Sequence, residues 1–229
     1  MLSAAIDPPA ASGVLYLHGF NSGSASPKAA LMRAACASLG LRCATPQLSH
    51  RPAAALAQAE SRLAELGPRP LVSGSSMGGF LATLLAERHG LAGALVNPAV
   101  APARLVADWV GEVFDNPYTG ERFAIETNHL DELEALTPTR VTPARYLLLL
   151  GTADETLDPA EAFALYGGAR TILYAGGDHG FAVLADYLPA VLAHGGHRLA
   201  PGWLGHPAPD HAGADTSGDT NDRNHFGDA

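Results

Sequence analysis

Apolar positions along the chain gather into short, nearly unbroken runs, separated by longer stretches in which they recur at helical spacing. Six runs read as strands: Val14–His18, Leu41–Thr45, Pro70–Ser73, Ala92–Val96, Arg145–Leu150 and Arg170–Ala175. They are rich in Leu, Val and Ala and lack strict in/out alternation. A strand covered on both faces has that pattern, and such strands belong to parallel sheets. Several intervening stretches have legible helix ends. Ser26 offers an N-cap before Pro27 at the first helical position, and Gly40 closes that helix. Met77 to His89 sets Phe80, Leu81, Leu84 and Leu85 on one face of an amphipathic helix and stops at Gly90. The alternation predicts the α/β class, with a mostly parallel sheet of about six strands and helices on both faces.

Two segments break this rhythm. Residues 98–143, from Pro98 to Pro143, hold two short helical stretches, Pro102–Val110 and Leu130–Leu136, around the polar turn Asp115-Asn116-Pro117-Tyr118-Thr119-Gly120-Glu121. Insertions at the C-terminal ends of parallel strands shape ligand sites, so this one is read as a short helical cap. The stretch 201–229 is poor in large apolar residues (Trp203, Leu204 and Phe226) and rich in Gly, Pro and Asp. It buries too little surface to offset its ordering entropy and is expected to be a mobile polar tail on a domain spanning 1–200. The irregular spacing of His206, His211 and His225 fixes no metal-ligand set.

Composition narrows the function classes. Of 229 residues, 47% are hydrophobic and 16% charged, which supports a sizeable core and excludes a largely disordered chain. A net charge of −9 argues against a nucleic-acid surface or a polybasic membrane anchor. No apolar run reaches the roughly 18 residues of a membrane-spanning helix. The start, Met1 to Ala11, lacks a basic region and carries Asp7-Pro8-Pro9, so a cytoplasmic location is expected. Cys36 and Cys43 form no disulfide framework and read as small buried side chains. No metal or organic cofactor is called for.

The strongest chemical signal is Gly74-Ser75-Ser76-Met77-Gly78-Gly79, placed between a strand and a helix. A sharp strand-to-helix turn lifts the Ser76 hydroxyl above the sheet edge. Small residues at 74 and 78 let the backbones pass, and helix N-terminal amides face the place where an oxyanion forms. A serine alcohol needs a base, and the base needs an orienting carboxylate. In chain order, the next strand ends run into Gly151-Thr152-Ala153-Asp154-Glu155 and then Gly176-Gly177-Asp178-His179. His179 is therefore the candidate base. Asp154, Glu155 and Asp158 compete as the acid. Asp158 precedes Pro159 and Glu161 as a helix N-cap would, which favours Asp154. Asp178 reads as a turn residue.

The oxyanion donors are expected to be the backbone amides of Met77 and Phe20, the latter in the loop His18-Gly19-Phe20-Asn21-Ser22-Gly23. His18, Gly19 and Asn21 of that loop and Tyr118 of the cap are candidate substrate-binding residues, although the place of His18 before Gly19 at a strand end favours a role in shaping that turn. His129 could line the cap side of a pocket. His50 lies in a connecting segment and His89 in a helical last turn.

Tyr16-Leu17-His18-Gly19-Phe20-Asn21-Ser22, Ser26-Pro27-Lys28-Ala29 and Gly74-Ser75-Ser76-Met77-Gly78-Gly79-Phe80 together resemble the YqiA-like esterases, small bacterial α/β-hydrolases. Asn97-Pro98-Ala99-Val100, Asn116-Pro117-Tyr118-Thr119-Gly120-Glu121 and Gly176-Gly177-Asp178-His179 extend the likeness, which runs from about Val14 to Leu192. Met77 and Phe80 stand where that family commonly has Leu and Tyr. The resemblance implies the α/β-hydrolase fold and an esterase acting on carboxylic or thioester acyl groups. Ser76, His179 and an acid after the fifth strand would form its triad. The expected partner is a small-molecule ester or thioester. The alternatives are an acyl-CoA thioesterase, for which the cap offers few basic residues (Arg104, Arg122, Arg140), and a non-catalytic binding protein on the same fold.

Overall fold

The structure is a computed structural model that describes residues 9–200 and 202–205. In chain order the elements are β1 (Val14–Leu17), α1 (Pro27–Ala37), β2 (Cys43–Ala44), α2 (Pro52–Leu63), β3 (Leu71–Ser76), α3 (Met77–His89), β4 (Gly93–Pro98), α4 (Pro102–Ala107), β5 (Val113–Asp115), β6 (Arg122–Ala124), α5 (Thr127–Leu136), β7 (Tyr146–Gly151), α6 (Pro159–Leu165), β8 (Arg170–Tyr174) and α7 (Leu184–His194). Among the described residues, six strands form one sheet in the order β2-β1-β3-β4-β7-β8, every neighbouring pair parallel. This is the doubly wound architecture that the apolar runs predict.

Within each strand the side chains divide between two apolar layers. Leu15, Leu17, Val72, Leu95, Leu148 and Leu150 face one side, where α2, α3 and the cap pack. Val14, Tyr16, Leu71, Val96, Leu147 and Leu149 face the other, under α1 and α7. Helix starts follow local chemistry: α1, α2, α4 and α6 each open with proline near the first position, where the missing N–H costs nothing. Ser26 caps α1 by accepting from the Ala29 amide at 3.4 Å, and Asp158 caps α6 by accepting from Ala160 at 2.8 Å.

Three expectations are corrected. α3 is not amphipathic: Gly78 to Thr83, with Leu85 and Ala86, are all buried between the sheet, α2 and the cap, so no polar face remains over its first two turns. The cap is not purely helical. Between α4 and α5 it folds as the antiparallel hairpin β5–β6, whose turn is built by Asn116 accepting from the amides of Tyr118 (2.8 Å) and Thr119 (3.1 Å). The folded unit also runs past residue 200, because Trp203 is buried against the α1/α7 layer. The rest of the expected tail, including His206, His211 and His225, lies outside the described residues, as do residues 1–8. Cys36 is buried and Cys43 half-buried, both as free thiols. Among the described residues, no helix is long and apolar enough to cross a membrane.

Candidate active site

The C-terminal ends of β3, β4, β7 and β8 meet at one rim of the sheet, and the chemistry-bearing residues sit there. Ser76 closes β3 and caps α3 with φ 56 and ψ −122, a left-handed conformation that costs a serine free energy. The turn is tight because its neighbours are glycines. A Cβ on Gly74 would collide with the Gly78 carbonyl, and one on Gly78 with the Leu17 and His18 carbonyls; neither obstacle is a flexible side chain. Gly19 lies on the other side, where a Cβ would come within 3.3 Å of the Ser76 Cβ.

The His179 Nε2 lies 3.1 Å from Ser76 Oγ, and its Nδ1 lies 2.8 and 3.0 Å from the two oxygens of Asp154. With Nδ1–H donating to the carboxylate, Nε2 is free to accept from the serine hydroxyl. The Asp154 side chain is almost fully buried, 2% exposed, and its Oδ1 also accepts from the amides of Thr156 (2.9 Å) and Leu157 (2.8 Å). Those bonds fix the carboxylate's position before it meets the ring. The other two candidate acids are engaged elsewhere: Asp158 caps α6, and Glu155 accepts the backbone amide of His179 at 3.0 Å. Asp178 accepts from Phe181 N–H at 2.9 Å, in keeping with a turn role.

Asn97 ties these loops together, and sequence reasoning assigned it no role. At the end of β4, with φ 40 and 3% exposed, its amide nitrogen donates to the carbonyls of Asp178 (3.0 Å) and His179 (3.2 Å). Its Oδ1 accepts from Gly151 N–H at 2.8 Å. One side chain therefore joins the β7 end, which leads to Asp154, to the loop that carries His179. The available signal was its place at a strand end on the same rim, in a residue type that tolerates positive φ.

The loop after β1 is held from several directions. His18 accepts from Leu48 N–H at Nε2 (3.1 Å), so Nδ1 carries the proton and donates to Gly19 O (2.9 Å). Burial, partly offset by that carbonyl, pulls the ring below the ordinary histidine value. Both nitrogens are used within the protein, so His18 locks the turn while its ring lines a small cavity under the cap. Phe20 stacks on Trp109 (5.0 Å) and meets Phe114 and Phe123 edge-on, which clamps its loop to the cap. Asn21 reaches Asp115 O at 3.4 Å from a left-handed backbone.

Two cavities adjoin this loop. The larger, about 410 Å³, is bordered by Ser76, His179, Phe20, Lys28 and Tyr118. The smaller, about 40 Å³, lies beyond Phe20 and Met77 under the cap, with Leu48, Leu81, Phe123 and Leu133 among its lining residues. Gly19 and Phe20 border both, whereas His179 borders only the larger. His129 and Asn21 line the smaller cavity, and His129 Nε2 and Asn21 Oδ1 are buried there without a partner among the described residues. His50 stacks on Phe123 and bonds Glu121 at 3.1 Å, while His89 bonds Glu60 at 2.7 Å. Met77 opens α3, where helix geometry leaves its amide without an intrahelical acceptor.

A family model described as an uncharacterised protein family, UPF0227, matches residues 13–195. Among solved structures, the chain is similar to alpha/beta hydrolase domain-containing protein 10 from mouse, at 18% identity and TM-score 0.61, covering 79% of this chain and 87% of that one. It is also similar to the esterase domain of a Rhodothermus marinus protein (19% identity, TM-score 0.58, 83% and 88% covered). A third likeness is to a monoacylglycerol lipase from Paleococcus ferrophilus (17%, TM-score 0.53, 79% and 94%). At these identities the likeness is one of fold.

Proposed function

The chain belongs to UPF0227, the YqiA family, and has the α/β-hydrolase fold, and from that premise we propose that it is a serine esterase cleaving carboxylic esters of small acyl groups. The observation that carries the reading is the continuous contact from Ser76 Oγ through the His179 ring to the buried Asp154, with the serine held at a strained turn.

In this mechanism Ser76 Oγ attacks the acyl carbonyl carbon while its proton passes to His179 Nε2. The oxygen that gains the charge is held by the amides of Phe20 and Met77. Each such donor is worth about 2.7–4 kcal/mol of activation free energy. Asp154 fixes the tautomer of His179 and stabilises the imidazolium. The C–O bond then breaks, and His179 returns the proton to the departing oxygen. Water attacks the acyl-enzyme by the same route in reverse and releases the acid. The cap contributes through its aromatic contacts with Phe20, which keep the first oxyanion donor in place. The small size of the cavity beyond Phe20 and Met77 favours short acyl chains.

An acyl-CoA thioesterase would use the same residues. Two of the three cap arginines, Arg104 and Arg122, already face Glu161 (2.8 Å) and Asp115 (3.8 Å), which weighs against a nucleotide site there. A panel of p-nitrophenyl esters and acyl-CoA thioesters, with Ser76→Ala as control, tests both readings. Short esters should be turned over best, with a loss of at least about 10³-fold in the variant. A Ser76→Ala protein as fast as the parent overturns the mechanism.

A further inference from the structure

Of the 14 Lys and Arg residues in the chain, only Lys28 is a lysine, and it borders the same cavity as Ser76 and His179. Its position works against its charge in three ways. It stands in the first turn of α1, where the helix dipole disfavours a cation. It is half-buried, and desolvation lowers its pKa despite the opposing field of Asp178. Among the described residues, no carboxylate lies within 4 Å of its ammonium; Arg33, Arg42, Arg69, Arg140, Arg170 and Arg198 share that property, but none of them borders the cavity of Ser76 and His179. A charge held under those costs beside a nucleophile has a counter-ion to meet. Asp178 acts on that charge only at longer range, and the position within direct contact of the ammonium is open to an anion from outside.

The side of the cavity says which part of a substrate brings that anion. His179 must protonate the departing group, so that group leaves on the His179 side. That side is the larger cavity, which also contains Lys28; the smaller cavity beyond Phe20 and Met77 is left for the acyl chain. Resting on the esterase reading above, we propose that Lys28 is an anion subsite for the leaving group. The substrates would then be esters or thioesters of short acyl groups whose alcohol or thiol part carries a carboxylate or phosphate. A compact ammonium on a flexible stem suits a single charged group, where a guanidinium fork favours bidentate contact.

The test compares three acetyl esters: 4-acetoxybenzoate, its uncharged methyl ester, and 4-acetoxyphenyl phosphate. The quantity read is the ratio of kcat/KM for each charged ester to that for the neutral one, in the parent and in Lys28→Met, so that intrinsic reactivities cancel. The ratio should fall about 10- to 100-fold in Lys28→Met, as expected for loss of one charge-assisted contact, and Lys28→Arg should retain part of it. Which charged ester shows the larger fall separates carboxylate from phosphate. In the parent protein, raising salt from about 20 mM to about 500 mM should lower the same ratio, a check that does not depend on a variant folding. Calorimetry on Ser76→Ala with 4-hydroxybenzoate and its methyl ester gives the comparison without turnover. Equal ratios in parent and Lys28→Met, or equal binding of the two phenols, overturn the subsite. Absence of turnover with preferential binding of the charged phenol overturns the esterase reading and leaves the subsite standing.

Discussion

Replacing Asn97 by alanine removes the side chain that joins the end of β7, ahead of Asp154, to the loop that carries His179. Its three hydrogen bonds, to Asp178 O, His179 O and Gly151 N, are buried or nearly so. At about 0.5–1.5 kcal/mol net for each, they sum to roughly 1.5–4.5 kcal/mol. Alanine at φ 40 adds about 1 kcal/mol or more, since a left-handed backbone favours asparagine over alanine. Urea denaturation should therefore show a loss of about 3–5 kcal/mol. The larger effect is on chemistry. With its loop carbonyls released, His179 can drift from Ser76, and a displacement of about 1 Å can cost about 100-fold in rate. Turnover of an activated short ester should show kcat reduced by about that factor with KM changed far less. Asn97→Gly relieves the strain without restoring the bonds, and should recover stability in part but not kcat. A variant that loses the full stability yet keeps kcat within about twofold of the parent would refute the positioning role.

Three further outcomes are expected. Asp154→Asn should lower kcat by about 10⁴-fold through loss of the correct His179 tautomer, whereas Asp158→Ala should cost only the α6 cap, about 1 kcal/mol, and leave kcat alone. The reverse pattern in kinetics and melting would exchange the two acids. Gly78→Ala drives a Cβ into the Leu17 and His18 carbonyls and should destabilise the protein by about 3 kcal/mol or more in urea titration; a neutral effect would mean the turn is looser than described. Burial holds the rings of His18, His129 and His194 below the ordinary histidine value. Below about pH 6.5 the unfolded chain takes up protons that these folded rings refuse, so their contribution to stability is complete above that pH and is lost on acidification through their lower folded values. Tm should fall between about pH 7.5 and pH 5.5, and a smaller fall in His194→Gln would assign part of it; a rising Tm would contradict the burial argument.

What the sequence made legible was whatever depends on local pattern. Unbroken apolar runs marked the parallel strands because both faces of β3, β4 and β7 are covered, and Gly74 to Gly79 marked the turn because its steric demands are local. Asp158 declared its capping role through Pro159 and Glu161, and that narrowed the choice of acid. The hairpin β5–β6 was missed because each strand has three residues and only the central one, Phe114 or Phe123, turns inward. α2 escaped notice because it packs through Ala55, Leu56 and Ala59, too small a face to stand out as a stripe. Leu84 looked like part of a helix face because periodicity reports one covered side, and α3 is enclosed on several. Asn97, His18 and Lys28 take their meaning from partners, or from a missing partner, distant in the chain. Only the folded chain brings those together.

The most direct measurement is mass spectrometry of the folded protein after reaction with a fluorophosphonate, in the parent, Ser76→Ala and His179→Ala. A single adduct on the peptide containing Ser76, absent from Ser76→Ala and strongly slowed in His179→Ala, is the predicted result. An unlabelled Ser76 in folded parent protein, or labelling that is indifferent to His179, would contradict the account.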